Sequence, residues 1–85
     1  MKPQIEAITH GNTLRIWIRD KGILSNLELM ANNIEKLAII YGGSLLERRK
    51  MSKATLNLIF TFSKLENLKK FYESDFMHNL LNWFL

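Results

Sequence analysis

Ala54-Thr55-Leu56-Asn57-Leu58-Ile59-Phe60-Thr61-Phe62 is the stretch on which the fold turns. Ala54, Leu56, Leu58, Phe60 and Phe62 share one face and Thr55, Asn57, Ile59 and Thr61 the other, the period of two that a half-buried strand requires. Just beyond it, Ser63 stands three residues ahead of Glu66. This is a capping-box spacing, and it opens a helix carrying Leu65, Leu68, Phe71 and Tyr72. Ser74-Asp75 then reads either as the cap of a fresh helix or as a bend in one longer helix. Upstream, about Ser44 to Lys50 reads as a partner strand joined to this one by a turn near Met51-Ser52.

The same grammar occurs earlier in the chain. Residues 4 to 9 and 13 to 19 are rich in β-branched residues, and His10-Gly11-Asn12 between them marks a hairpin. In the second of these strands Leu14, Ile16 and Ile18 form the core face, while Thr13, Arg15, Trp17 and Arg19 face the other way. Ser25 precedes Glu28 by three residues. Leu27, Met30, Ile34, Leu37 and Tyr41 follow at helical spacing, and Gly42-Gly43 supplies residues able to take positive φ at the end. A helix over 26 to 41 is therefore expected. Both helices begin Ser-x-Leu-Glu, which repeated selection of a good cap explains, because the strand offsets share no single period.

The order is ββαββα, an α+β class. A sheet with one apolar face needs a cover, and two amphipathic helices on that face supply it. With both hairpins kept and a right-handed crossover, the four-stranded antiparallel sheet takes the order 1-2-4-3, a permuted ferredoxin-like sandwich. The most apolar strands become central. The charged strands, with Gln4 and Glu6 on one and Glu47, Arg48, Arg49 and Lys50 on the other, become edges, where charge deters pairing with other chains. All 85 residues fit one domain with one modest core.

With 12 Lys+Arg against 8 Asp+Glu, the formal charge is +4. The excess is local: residues 44–53 hold Arg48, Arg49, Lys50 and Lys53 against Glu47, and residues 15–21 hold Arg15, Arg19 and Lys21 against Asp20. Cations neutralise phosphates and an aromatic face stacks on an unpaired base, so Arg15, Trp17, Arg19, Arg48, Arg49, Lys50 and Lys53 form a candidate surface for RNA or single-stranded DNA. A charged edge hairpin also serves solubility alone. The chain end, from Phe76 to Leu85, is apolar over a wide helical arc. Trp17, Ile59, Phe76, Leu80, Trp83 and Phe84 are accordingly candidate contacts for a homodimer or another protein, although the terminal segment also suits the domain's own core.

Other chemistry finds little support. With no cysteine, disulfides, thiolate metal sites and cysteine nucleophiles are excluded. His10 and His78 share no fixed spacing and the acids are scattered, so neither a metal, a cofactor nor an enzymatic activity is expected. Gly42-Gly43 follows a helix, the wrong side for cradling phosphate. No apolar run is long enough to span a membrane, and Met1-Lys2-Pro3-Gln4 leads into no signal-like segment, so cytoplasmic residence is the expectation.

One comparison, which departs too far to count as membership, and one resemblance bear on function. The RNA-recognition motif displays aromatics on the two central strands of a ferredoxin-like sheet. Here the corresponding face has Trp17, with Asn57, Ile59 and Thr61 where further aromatics would stand. Separately, Arg19-Asp20-Lys21-Gly22-Ile23-Leu24-Ser25 resembles the strand-to-helix turn of ACT-type regulatory domains, without the proline common before the glycine. That resemblance implies side-by-side dimers and a small ligand such as an amino acid.

Overall fold

The computed structural model describes residues 4–19 and 24–83, the side chains of residues 24–26 and 80–83 excepted. The elements are β1 (Gln4–His10), β2 (Thr13–Arg19), α1 (Leu24–Ile40), β3 (Gly43–Ser52), β4 (Thr55–Phe62), α2 (Leu65–Tyr72) and α3 (Asp75–Trp83). The sheet is antiparallel in the order β1-β2-β4-β3. This is the permuted ferredoxin-like arrangement expected from the alternation, with the final helix divided in two.

The β1–β2 turn is two residues long. Gly11 has φ +59° and Asn12 a negative φ, the glycine-first pattern of the hairpin turns that match strand twist. The Asn12 carbonyl then accepts from the Phe62 N–H at 2.9 Å, tying the end of β4 to this turn.

One face of the sheet makes the core. Leu14, Ile16 and Ile18 of β2 and Leu56, Leu58, Phe60 and Phe62 of β4 are buried against Leu27, Ala31, Ile34 and Ala38 of α1, Leu68 and Phe71 of α2, and Met77 of α3. The expected α1 stripe is correct in direction but off-centre: Met30, Leu37 and Tyr41 are only partly buried, and the innermost row includes Ala31 and Ala38. Alanines let the helix axis approach the sheet. That closeness explains Gly43, where an added Cβ would lie 2.8 Å from Phe62 Cε2 and 2.9 Å from the Ala38 carbonyl oxygen. Only Gly42, at φ +87°, takes the left-handed conformation anticipated for the pair. Tyr41, Phe71 and Phe62 stack in sequence, with centroids 5.5 and 5.8 Å apart.

At α2 the expected capping box is not the cap seen, and the α1 box rests on a side chain outside the described residues. The helix α1 starts at Leu24, ahead of Ser25, whose side chain lies outside the described residues; Glu28 turns outward to Arg48 instead. At α2 the N-cap is Lys64, which makes no side-chain cap bond, so Ser63 sits one position too early; Glu66 pairs with Lys70 at 3.6 Å. The working cap is Ser74. Its hydroxyl donates to the Phe71 carbonyl at 2.7 Å and accepts from the Met77 N–H at 3.3 Å, closing α2 and opening α3 with one side chain.

Helix α1 packs on β3, β4 and β2, α2 on β4, and α3 on β1, all from the core side. The described elements leave the other face of the sheet uncovered.

Candidate functional site

The strand registers lay out the uncovered face row by row. Ile8, Arg15, Ile59 and Glu47 form one row, Glu6, Trp17, Asn57 and Arg49 the next, and Gln4, Arg19, Thr55 and Ser52 a third. Side chains directly opposite in such a sheet stand about 5 Å apart at Cβ, so each row is a line of contacts. Trp17 and Asn57 occupy the centre. Arg15, Arg19 and Arg49 surround them, with Glu6 and Glu47 towards the two edges.

The position of Arg49 depends on an irregularity in β3. The register slips between Leu45 and Glu47, so Leu46 has no partner, and again between Lys50 and Ser52, leaving Met51 unpaired. Each slip is a bulge, which reverses the parity of the residues after it. Strict alternation from Leu45 would turn Arg49 towards the helices and Arg48 away from them. The bulge does the opposite.

Arg48 is consequently committed to α1. Its Nη1 donates to Asn32 Oδ1 at 2.7 Å and to Glu35 Oε2 at 3.2 Å, and its Nη2 donates to Glu28 Oε2 at 2.7 Å. Lys50, opposite Leu56, is also on the helix side, and Lys53 lies in the β3–β4 turn, where Ala54 N–H donates to Ser52 Oγ. Of the seven residues expected to bind nucleic acid, the sheet therefore brings Arg15, Trp17, Arg19 and Arg49 together. Arg48, Lys50 and Lys53 are set apart. Among the described residues Arg15, Arg19 and Arg49 form no ion pair.

Trp17 is half-buried. The Arg15 guanidinium carbon lies 5.4 Å from its ring centroid, a cation–π contact worth about 0.5–1 kcal/mol at an exposed site, and it steadies the indole from that side. On the Arg19 side lies a depression of about 250 Å³ lined by Gln4, Glu6, Trp17, Arg19 and Thr55. Beside Trp17, Asn57 is only 6% exposed, yet its Oδ1 accepts no hydrogen bond. An acceptor left so costs about 1–3 kcal/mol of desolvation, and among the described residues Asn57 Oδ1 is the one buried side-chain oxygen or nitrogen without a hydrogen-bond partner.

The candidate partner contacts also divide. Trp17 and Ile59 share the uncovered face, in adjacent rows. Phe76 is partly buried against the domain's own core, next to the fully buried Met77. The side chains of Leu80 and Trp83, and Phe84 altogether, lie outside the described residues, as does the Asp20 to Ile23 part of the ACT-like turn. His10 ends β1 and His78 is on α3; among the described residues no cluster of three or more His, Asp or Glu could hold a metal.

The sequence places Gln4 and Glu6 on an edge strand and Asn57 on the open face, but assigns none of the three a binding role. The signal for Asn57 is a single amide in the most apolar strand; for Glu6 it is the position opposite Trp17, countable from the two-residue turn. Among the described residues, no helix is long and apolar enough to cross a membrane. No known protein family, curated protein or solved structure shows significant similarity to the chain.

Proposed function

We propose that the protein is a non-enzymatic module that binds single-stranded nucleic acid on the uncovered face of its sheet. One observation carries the reading: Trp17 stands among three arginines, Arg15, Arg19 and Arg49, none held by a carboxylate of the described chain. An unpaired base stacks on the indole, and the guanidinium groups take the phosphates on either side. Lys50 and Lys53 at the β3 rim add to the field that attracts a polyanion.

Three phosphate contacts on a single strand give a salt slope of about −2, so affinity falls roughly 20-fold between 50 and 200 mM salt. Fluorescence anisotropy with a labelled mixed-sequence 12-mer measures this directly. Trp17→Ala is expected to weaken single-strand binding roughly tenfold or more, in line with about 1–3 kcal/mol per stacked base, and to alter duplex binding little. Absence of binding at 50 mM salt rules the proposal out.

Ile8, 53% exposed on the same face, favours a second reading, self-association of two sheets as a homodimer. Sedimentation at increasing concentration tests it; a mass of one chain throughout removes it.

A further inference from the structure

Phosphate binding does not explain the carboxylate of Glu6. It stands directly opposite Trp17 and lines the depression with Gln4, Arg19 and Thr55. It forms no ion pair among the described residues, although Arg19 lines the same hollow. Towards a bare sugar-phosphate backbone an unpaired anion here only repels. Towards a base edge bearing two adjacent N–H donors it is complementary, because a carboxylate accepts two parallel hydrogen bonds.

Only guanine offers that edge. Its N1–H and N2 amino group lie side by side, whereas adenine and cytosine set one amino group beside a ring-nitrogen acceptor, and uracil sets one N3–H between two carbonyls. Each of those alternatives brings a lone pair against the carboxylate. The other lining groups suit the rest of the base: Gln4 can donate to O6 or N7, and the indole offers a stacking surface, which leaves Arg19 at the rim for phosphate. A hollow of about 250 Å³ is below the usual range of drug-sized ligand sites and has room for one planar base.

We infer that the depression beside Trp17 is a guanine-reading subsite in which Glu6 accepts from N1–H and the N2 amino group. This inference rests on the single-strand reading above. Nothing covalent takes place, and the bidentate pair to Glu6 carries the discrimination that Gln4 only supplements.

The test uses the full chain and 12-mer oligouridines carrying one central guanine, adenine, cytosine or inosine, compared with unsubstituted oligouridine. A good bidentate contact is worth a discrimination of roughly fivefold to hundredfold. The guanine oligomer is expected to bind at least fivefold more tightly than the adenine, cytosine and all-uridine oligomers. Inosine, which lacks the N2 amino group, is expected to lose most of that gain. Glu6→Gln, whose fold is checked by circular dichroism, should abolish the preference while affinity for oligouridine stays level or rises. Equal affinity for all oligomers, or a guanine preference that survives Glu6→Gln, overturns the subsite and leaves single-strand binding standing. Failure of every oligomer to bind at 50 mM salt overturns both.

Discussion

Arg48 and Arg49 are neighbours in sequence and carry the same charge, yet the geometry assigns them opposite phenotypes. Arg48→Met keeps the aliphatic stem but removes the donors that hold Glu28, Asn32 and Glu35 of α1 to β3. The Arg48 and Glu35 side chains are 25% and 28% exposed and Glu28 is 46% exposed, so solvent screens the Glu28 arm more strongly. Hydrogen bonds to charged groups contribute about 1.5–3 kcal/mol when well shielded and exposed ion pairs about 0.2–1 kcal/mol. Taking the lower part of each range, the three contacts together are worth about 2 kcal/mol. In a domain of this size that lowers the Tm by about 10 °C. The loss should shrink in 1 M NaCl as the pairs are screened. Arg49→Met, opposite Asn57 on the uncovered face, is expected to change stability by less than about 0.5 kcal/mol and to weaken single-strand binding, reducing the salt slope by about 0.7. Thermal melts followed by circular dichroism, with anisotropy at 10 °C where both variants are folded, make the comparison. If Arg49→Met is the more destabilising of the two, or Arg48→Met weakens binding as much, the bulge-dependent assignment is refuted.

Three further substitutions probe the frame. Ser74→Ala removes the hydroxyl shared by α2 and α3 and should cost about 1 kcal/mol in urea unfolding; no change would mean that the break needs no cap. Gly43→Ala drives a Cβ into both the Phe62 ring and the Ala38 carbonyl and should cost about 2 kcal/mol or more, well above Gly11→Ala, which meets no atom and pays only for its φ of +59°. Asn57→Leu replaces an amide whose Oδ1 lacks a donor, so stability should hold or rise; a loss above about 1 kcal/mol would show that the amide has a partner in solution.

The sheet and its order were legible because two strands, Thr13–Arg19 and Thr55–Phe62, alternate cleanly; the first register was not, since the sequence sets His10-Gly11-Asn12 between the strands whereas the structure pairs His10 with Thr13 across a two-residue turn. The uncovered face and the exposure of Arg15 and Arg19 followed from the same parity. What escaped was decided by contacts distant in sequence. The β3 bulges have no local signature in Leu45-Leu46-Glu47, so nothing in the chain announced which of Arg48 and Arg49 would turn to the helices. Glu28 had the spacing of a capping residue, but the guanidinium 2.7 Å away draws it outward. Ala31 and Ala38 were passed over because a stripe reading weights large residues, whereas close approach of helix and sheet selects small ones.

β3 has 10 residues where β4 has 8, and the surplus is Leu46 and Met51, the two positions without partners. These are the places where β3 can change length. Deleting Leu46 would leave Glu47, Arg48 and Arg49 opposite Ile59, Leu58 and Asn57 as before, so the division between the arginine that braces α1 and the arginine on the uncovered face would survive a shorter chain. Deleting Arg48 would instead move Arg49 to the helix side and Lys50 to the uncovered face before Met51 takes up the slack and restores Ser52 opposite Thr55. In this strand the consequence of losing one residue therefore depends less on which side chain is lost than on whether that residue was being counted by its neighbour.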